Sequence, residues 1–159
     1  MPPMLGTFVG AAVTPDLLAA FGVEGEWRFA QRRQVLWADV DRFGHANHTT
    51  FLRYFEDARC TYVEAMGGAL AMDQPGPVMS RLSVHYVKPL AYGDEALVTT
   101  RAVSIGRTSI VFDYATWKDG ACCTAQAVIV FVINASGAKA AIPAAMRAAV
   151  LALDAPVQR

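Results

Sequence analysis

The feature that most constrains this chain is one long amphipathic helix pattern followed directly by four extended runs joined by very short turns. Phe51, Tyr54, Phe55, Ala58 and Tyr62 recur at three- and four-residue intervals while Arg53, Glu56 and Asp57 fill other faces, which predicts a helix over roughly 48–66. Gly67-Gly68 supplies its stop. The stretch Asp73-Gln74-Pro75-Gly76-Pro77 is expected to be loop, since helix and strand are both disfavoured there. Extended runs are then expected over about 79–88, 95–105, 108–118 and 121–134. Their connections, Tyr92-Gly93-Asp94, Ile105-Gly106-Arg107 and Lys118-Asp119-Gly120, are too short for parallel crossovers, so these strands form an antiparallel meander. With a further extended segment over 28–37 ahead of the helix, the layout is α+β, and the helix must cover one face of a strongly bent sheet.

The rest of the chain fits around that unit. Residues 1–26 read as a leader in which Thr14 and Pro15 cap and open a short helix through Leu17, Leu18 and Phe21, ended by Gly22 and Gly25; residues 27–159 form the domain proper. Pro143 opens a last, Ala-rich helix. The run Ala127 to Ile133 is apolar on both faces, as in a central strand with a helix on one side and a partner on the other. A hydrophobic fraction of 54% in 159 residues supports one well-packed domain that self-associates. Lys plus Arg and Asp plus Glu both number 14, which leaves no global field for nucleic acid or a membrane surface. Cys60, Cys122 and Cys123 give no disulfide framework. The apolar stretch Leu5 to Val13 lacks a preceding Lys or Arg and is too short to span a bilayer, so the cytoplasm is the expected compartment.

The polar cluster Asp39, Asp41, His45, Asn47 and His48 falls where an extended segment enters the long helix. The first N–H groups of a helix lack intrahelical partners and sit at the positive end of its dipole, so they can receive a polarised carbonyl oxygen. A carboxylate nearby could attack that carbonyl or activate water against it, and the combination suits acyl transfer. Asp and Asn ahead of a helix are equally ordinary caps, Asn47 above all. His45 and His48 with Asp41 lack a third strong ligand, so neither a metal nor another cofactor is expected.

The string Trp37-Ala38-Asp39-Val40-Asp41-Arg42-Phe43-Gly44-His45-Ala46-Asn47-His48, continued by Phe55-Glu56-Asp57-Ala58-Arg59, resembles the 4-hydroxybenzoyl-CoA thioesterase-like family of hotdog proteins. Tyr86-Val87-Lys88-Pro89 with Gly93-Asp94, then Ile105-Gly106-Arg107-Thr108-Ser109, then Ile142-Pro143 are similar to the family's later signals in the same order. The likeness runs from about Arg28 to Arg147 and leaves out residues 1–26. It implies a hotdog fold, a long central helix wrapped by a five-stranded antiparallel sheet, with subunits paired edge to edge as a dimer or tetramer and active sites in the dimer interface. It implies hydrolysis of an acyl-CoA thioester to free acid and CoA. The catalytic carboxylate falls on Asp41, as nucleophile or general base, and the N–H that polarises the carbonyl falls on His48. A thiolate leaves readily, so no strong general acid is required.

Around these, His45, Asn47, Glu56, Thr108 and Ser109 are the candidate substrate-binding residues. Each has a structural alternative: capping for Asn47, an ion pair with Arg59 for Glu56, turn chemistry for Thr108 and Ser109. Phe43, Phe51, Tyr54 and Phe55 are expected in the core between helix and sheet, with an acyl pocket as the competing role. Two other functions share the fold. A hotdog hydratase would need its acid placed differently, and a non-catalytic acyl-CoA-binding or sensing protein would have little reason to keep a desolvated carboxylate at Asp41.

Overall fold

The computed structural model describes the backbone of residues 7–9 and all of residues 13–159. In chain order it contains β1 (Thr7–Val9), α1 (Pro15–Ala20), β2 (Phe29–Gln34), a 3₁₀ turn (Trp37–Asp39), α2 (His48–Ala65), β3 (Pro75–Tyr86), β4 (Glu95–Ile105), β5 (Ser109–Trp117), β6 (Ala121–Ile133), β7 (Ala138–Lys139), α3 (Ala144–Asp154) and β8 (Val157–Gln158). The sheet runs β1-β2-β4-β5-β6-β3, with β7 on β6 and β8 on β4. The five long strands pair antiparallel, but the expected four-strand meander holds only over β4-β5-β6. β3 does not pair with β4 across Tyr92-Gly93-Asp94 and lies instead on the far side of β6, while β2 takes the place beside β4, because the sheet must curl round α2; the two-residue fringe of β8 on β4 is parallel. This is the hotdog arrangement, one long helix wrapped by a curled sheet.

Another expectation fails at the start of β3. Pro75, Gly76 and Pro77 are strand rather than loop, paired with Ile133, Val132 and Phe131 of β6. The reason lies in the topology: β3 ends the strand order, and a proline that cannot donate is tolerated at the end of a strand that has no further strand of the chain beside it among the described residues.

The core sits between α2 and the inner face of the sheet. The helical spacing of Phe51, Tyr54, Phe55, Ala58 and Tyr62 puts all five on one stripe, and all five are buried. Tyr62 meets Phe29 and Phe112 edge-on at 5.3 and 5.2 Å, and Phe55 stacks on Tyr114 at 5.2 Å. The Tyr62 hydroxyl donates to Asp154 at the end of α3, which fastens that helix to the same core.

A second, smaller core lies on the outer face, where Phe21, Trp27, Ala30, Leu97, Ala115 and Trp117 are buried together. Thr14 caps α1 as expected, accepting the Leu17 N–H at 3.2 Å with Pro15 opening the helix. Trp27 meets Trp117 edge-on, and the Arg101 guanidinium lies 4.2 Å from the Trp27 ring centroid. The leader reading falls in part on residues 1–6 and 10–12, outside the described residues.

This outer core closes through a tight approach. Gly22 has φ +66°, and a Cβ there would stand 2.5 Å from the Gly120 amide nitrogen, beside the Gly120 N–H bond to Phe21 O. Gly22→Ala is expected to lower unfolding free energy by about 2–4 kcal/mol, combining left-handed strain with a backbone clash. Gly44→Ala, at φ +78° with nothing near its missing Cβ, should cost only about 1 kcal/mol. Urea unfolding of the two variants checks this, and equal losses would remove the close approach as the cause.

Candidate active site at the entrance to the long helix

The site is built from the loop between β2 and α2. Val40 bridges Ala46, the Asp41 N–H donates to His45 O, and the Gly44 N–H donates back to Asp41 O, which makes a short hairpin turned by Gly44 in the left-handed region. Asp41 Oδ1 accepts the Phe43 N–H at 2.8 Å, and its other oxygen has no protein partner among the described residues. That side-chain turn swings Phe43 outward, 85% exposed. Phe51, Tyr54 and Phe55 are core as expected; Phe43 is not.

The hairpin is held to the rest of the molecule at two points. His45 bridges Ala91 and the Ala46 N–H donates to Leu90 O, tying it to the β3–β4 turn. That turn is fixed by Asp94, which accepts the Ala91 N–H at 2.7 Å and Lys118 Nζ at 2.8 Å. Burial pushes the Asp94 carboxyl up, but these hydrogen bonds and the Lys118 charge outweigh it and hold the group below the usual carboxylate range.

The second point is Asp39, only 3% exposed. Its carboxylate accepts the Leu36 N–H and the Tyr54 hydroxyl, each at 2.9 Å, and pairs with Arg53. Its carbonyl accepts the Asn47 N–H at 2.8 Å and the Thr50 hydroxyl at 3.0 Å. Burial, then the Asp39 hydrogen bond and charge, push the Tyr54 phenol up. One buried aspartate thus sets where the hairpin stands relative to the first turn of α2. Asp39→Ala leaves the buried Tyr54 hydroxyl and the half-buried Leu36 N–H without their acceptor and Arg53 without its partner, and is expected to cost about 3 kcal/mol, against about 1 kcal/mol for Tyr54→Phe. Denaturant titration of both variants measures the difference; similar small losses would show that Asp39 is no hub.

At the helix start, Asn47 Oδ1 accepts both the N–H and the hydroxyl of Thr49, at 3.0 and 2.8 Å. The Asn47 side chain is therefore used as the N-cap. The Thr50 N–H donates to Asn47 O. That leaves the His48 N–H with no acceptor among the described residues. The imidazole of His48 is exposed and faces the Tyr86 ring edge-on at 6.2 Å, beside a groove of about 310 Å³ shared with Ala46, Phe51 and Lys88.

The other sequence candidates separate. His45 is exposed on the hairpin, next to Asp41 across the ladder. Glu56 lies on a second groove of about 510 Å³ between α2 and β3, with Arg59 buried near it at 3.9 Å. Thr108 and Ser109 are not near Asp41 within one chain. Tyr86 pairs with Cys123 and Ser109 with Val130, which places them roughly 24 Å apart along β6. The roles of Asp39, Arg53, Tyr54 and Asp94 were not visible in the sequence, because their partners are 14 to 24 residues away.

Among the described residues no helix is long and apolar enough to cross a membrane. Residues 35–150 match the thioesterase-like superfamily. A thioesterase-superfamily structure from Jannaschia sp. CCS1 superposes with a TM-score of 0.83 at 24% identity, over 100% of both chains. A thioesterase from Thermus thermophilus, solved with coenzyme A and zinc, gives 0.67 at 29% identity, over 79% of this chain and 94% of that one. A 1,4-dihydroxy-2-naphthoyl-CoA thioesterase from Synechocystis gives 0.71 at 21%, over 79% and 96%.

Proposed function

The chain belongs to the thioesterase-like superfamily, and on that premise we propose that it hydrolyses an acyl-CoA thioester to free acid and CoA at the Asp41 loop. One observation carries the reading: a carboxylate oxygen of Asp41 and the N–H of His48, both without protein partners among the described residues, flank the same short ladder at the mouth of α2. The thioester carbonyl oxygen receives the His48 N–H, and charge developing on it meets the positive end of an eighteen-residue helix. Asp41 either attacks the carbonyl carbon or takes the proton from the water that does. The tetrahedral intermediate then collapses by breaking the C–S bond, and CoA departs as a thiolate that solvent protonates. In the attack route, water hydrolyses the resulting anhydride and frees Asp41. Coenzyme A in the Thermus relative supports CoA as the leaving group.

The site is built in the cytoplasm as a homodimer. Among the described residues β3 has a free edge twelve residues long, and two copies paired antiparallel across it would set the Tyr86 end of one against the Pro75 end of the other. Ser109 lies at that Pro75 end, since it pairs with Val130 and Val130 with Val78. A second copy would therefore bring its Thr108 and Ser109 to the His48 groove, which accounts for their distance from Asp41 within one chain.

Thiol release from a panel of short-chain, long-chain and aromatic acyl-CoAs tests the proposal. Turnover of at least one class is expected. Tight binding of acyl-CoA with no thiol release from any of them would make the chain a binding protein instead.

A further inference from the structure

The groove between α2 and β3 begins at Thr49 in the first turn of the helix and extends to Arg59. Arg59 is 6% exposed. Its Nε has no acceptor, and the carboxylate nearest it, Glu56, stands 3.9 Å away on a side chain that is 65% exposed. The Tyr114 hydroxyl beside it is buried too and can offer the guanidinium only a neutral oxygen. Burial pushes that phenol up to about 12, against the pull of the Arg59 charge. Arg33 and Arg101 also leave Nε without a partner, but their terminal nitrogens hold acceptors: Gln31 and Asp57 for Arg33, Glu26 O and Asp113 for Arg101. Arg59 has no hydrogen-bonded carboxylate, amide or carbonyl acceptor among the described residues; its polar neighbour is the neutral Tyr114 hydroxyl.

A buried guanidinium without a hydrogen-bonded counter-ion is costly. A buried guanidinium lining an open groove, with the neutral Tyr114 hydroxyl beside it and no hydrogen-bonded carboxylate among the described residues, suits a group that only accepts and carries negative charge. The groove also has the right contents for a chain of methylenes leading to such a group, since Leu52, Phe55, Met79 and Leu82 line it. Arg53 on its rim is already paired with Asp39. Glu56 would oppose an incoming anion, but its exposed side chain is free to turn into water.

We propose that the acyl group of the substrate ends in a carboxylate received by Arg59, so that the preferred substrates are dicarboxylic acyl thioesters. The inference rests on the thioesterase reading above, which puts the carbonyl at the helix start. From Thr49 to Arg59 the helix rises roughly 15 Å, and the arginine side chain leans back toward the N-terminus, leaving room for an acyl chain of about eight carbons. Arg59 is then a specificity-determining residue: it binds the far end of the substrate and leaves the reacting atoms to Asp41 and His48.

Suberyl-CoA and octanoyl-CoA, matched in length and differing in the terminal carboxylate, test this on the full chain. The readouts are kcat/KM by thiol release, and Kd by calorimetry on the Asp41→Asn protein. Suberyl-CoA is expected to lead by about ten- to a hundredfold in both, the ratio one charged hydrogen-bonded pair supplies. Arg59→Met should invert that preference while octanoyl-CoA is still turned over, and Arg59→Lys should keep part of it. Glu56→Gln should widen it. Octanoyl-CoA matching suberyl-CoA in the protein with Arg59 intact, or a ratio that neither Arg59 variant moves, overturns the proposal. If no thioester is hydrolysed, the Kd ratio still decides the role of Arg59, and the thioesterase reading alone falls.

Discussion

Asp41→Asn is expected to lower kcat for the best acyl-CoA by about a thousandfold or more, with KM and stability nearly unchanged. The amide keeps the acceptor that Asp41 Oδ1 offers to the Phe43 N–H, so the hairpin retains its turn and the melting temperature should move by no more than about 2 °C. What the substitution removes is the negative charge. An amide can neither attack a thioester carbonyl nor take a proton from water, and both routes to hydrolysis lose their first step. Thiol release measured beside thermal melting separates the cases. A variant that keeps more than a tenth of the rate would show that Asp41 is not the reacting group. A variant that loses rate and fold together would make Asp41 a structural residue.

Much of this site was legible in the sequence, and what was not has a physical reason. The helix start, the carboxylate two residues beyond Asp39 and the cap at Asn47 are local features, written within ten consecutive residues and enforced by short-range hydrogen bonding. Period placed α2 and turn signals bounded the extended runs, but not their neighbours: β3 and β4 follow one another through a short link and yet pair with β6 and β2, since strand order is set by how the whole sheet curls round the helix. Period could not divide the labour between Asp39 and Asp41. Both precede the same helix, and only the partners of Asp39, Arg53 and Tyr54 one turn into α2, show that it is buried and spent. Edge position is likewise a property of the whole sheet, which is why Pro75 and Pro77 read as loop and prove to be strand. The burial of Arg59 was hidden for the same reason: three residues after Glu56 it looks like half of a surface ion pair, and only the packing of α2 on the sheet puts it inside.

In the proposed mechanism the oxyanion is held by a backbone N–H, and proline makes that testable. His48→Pro is expected to lower kcat by about a hundred- to a thousandfold, as the loss of one oxyanion donor does elsewhere. Proline is normally ruinous in a helix, but position 48 is the first residue of α2, where a missing N–H breaks no intrahelical bond and the fixed φ is the helical one. The residue before a proline must be extended, and Asn47 already has φ −59° and ψ 147°. The variant should therefore fold and keep its cap, since Thr49 and not His48 donates to Asn47 Oδ1. His48→Ala is its control: the amide stays and only the imidazole goes, so the rate should hold within about tenfold. If His48→Pro keeps its rate, the carbonyl is polarised by some other donor. If His48→Ala falls as far as His48→Pro, the imidazole is the group that matters, and the helix terminus only carries it.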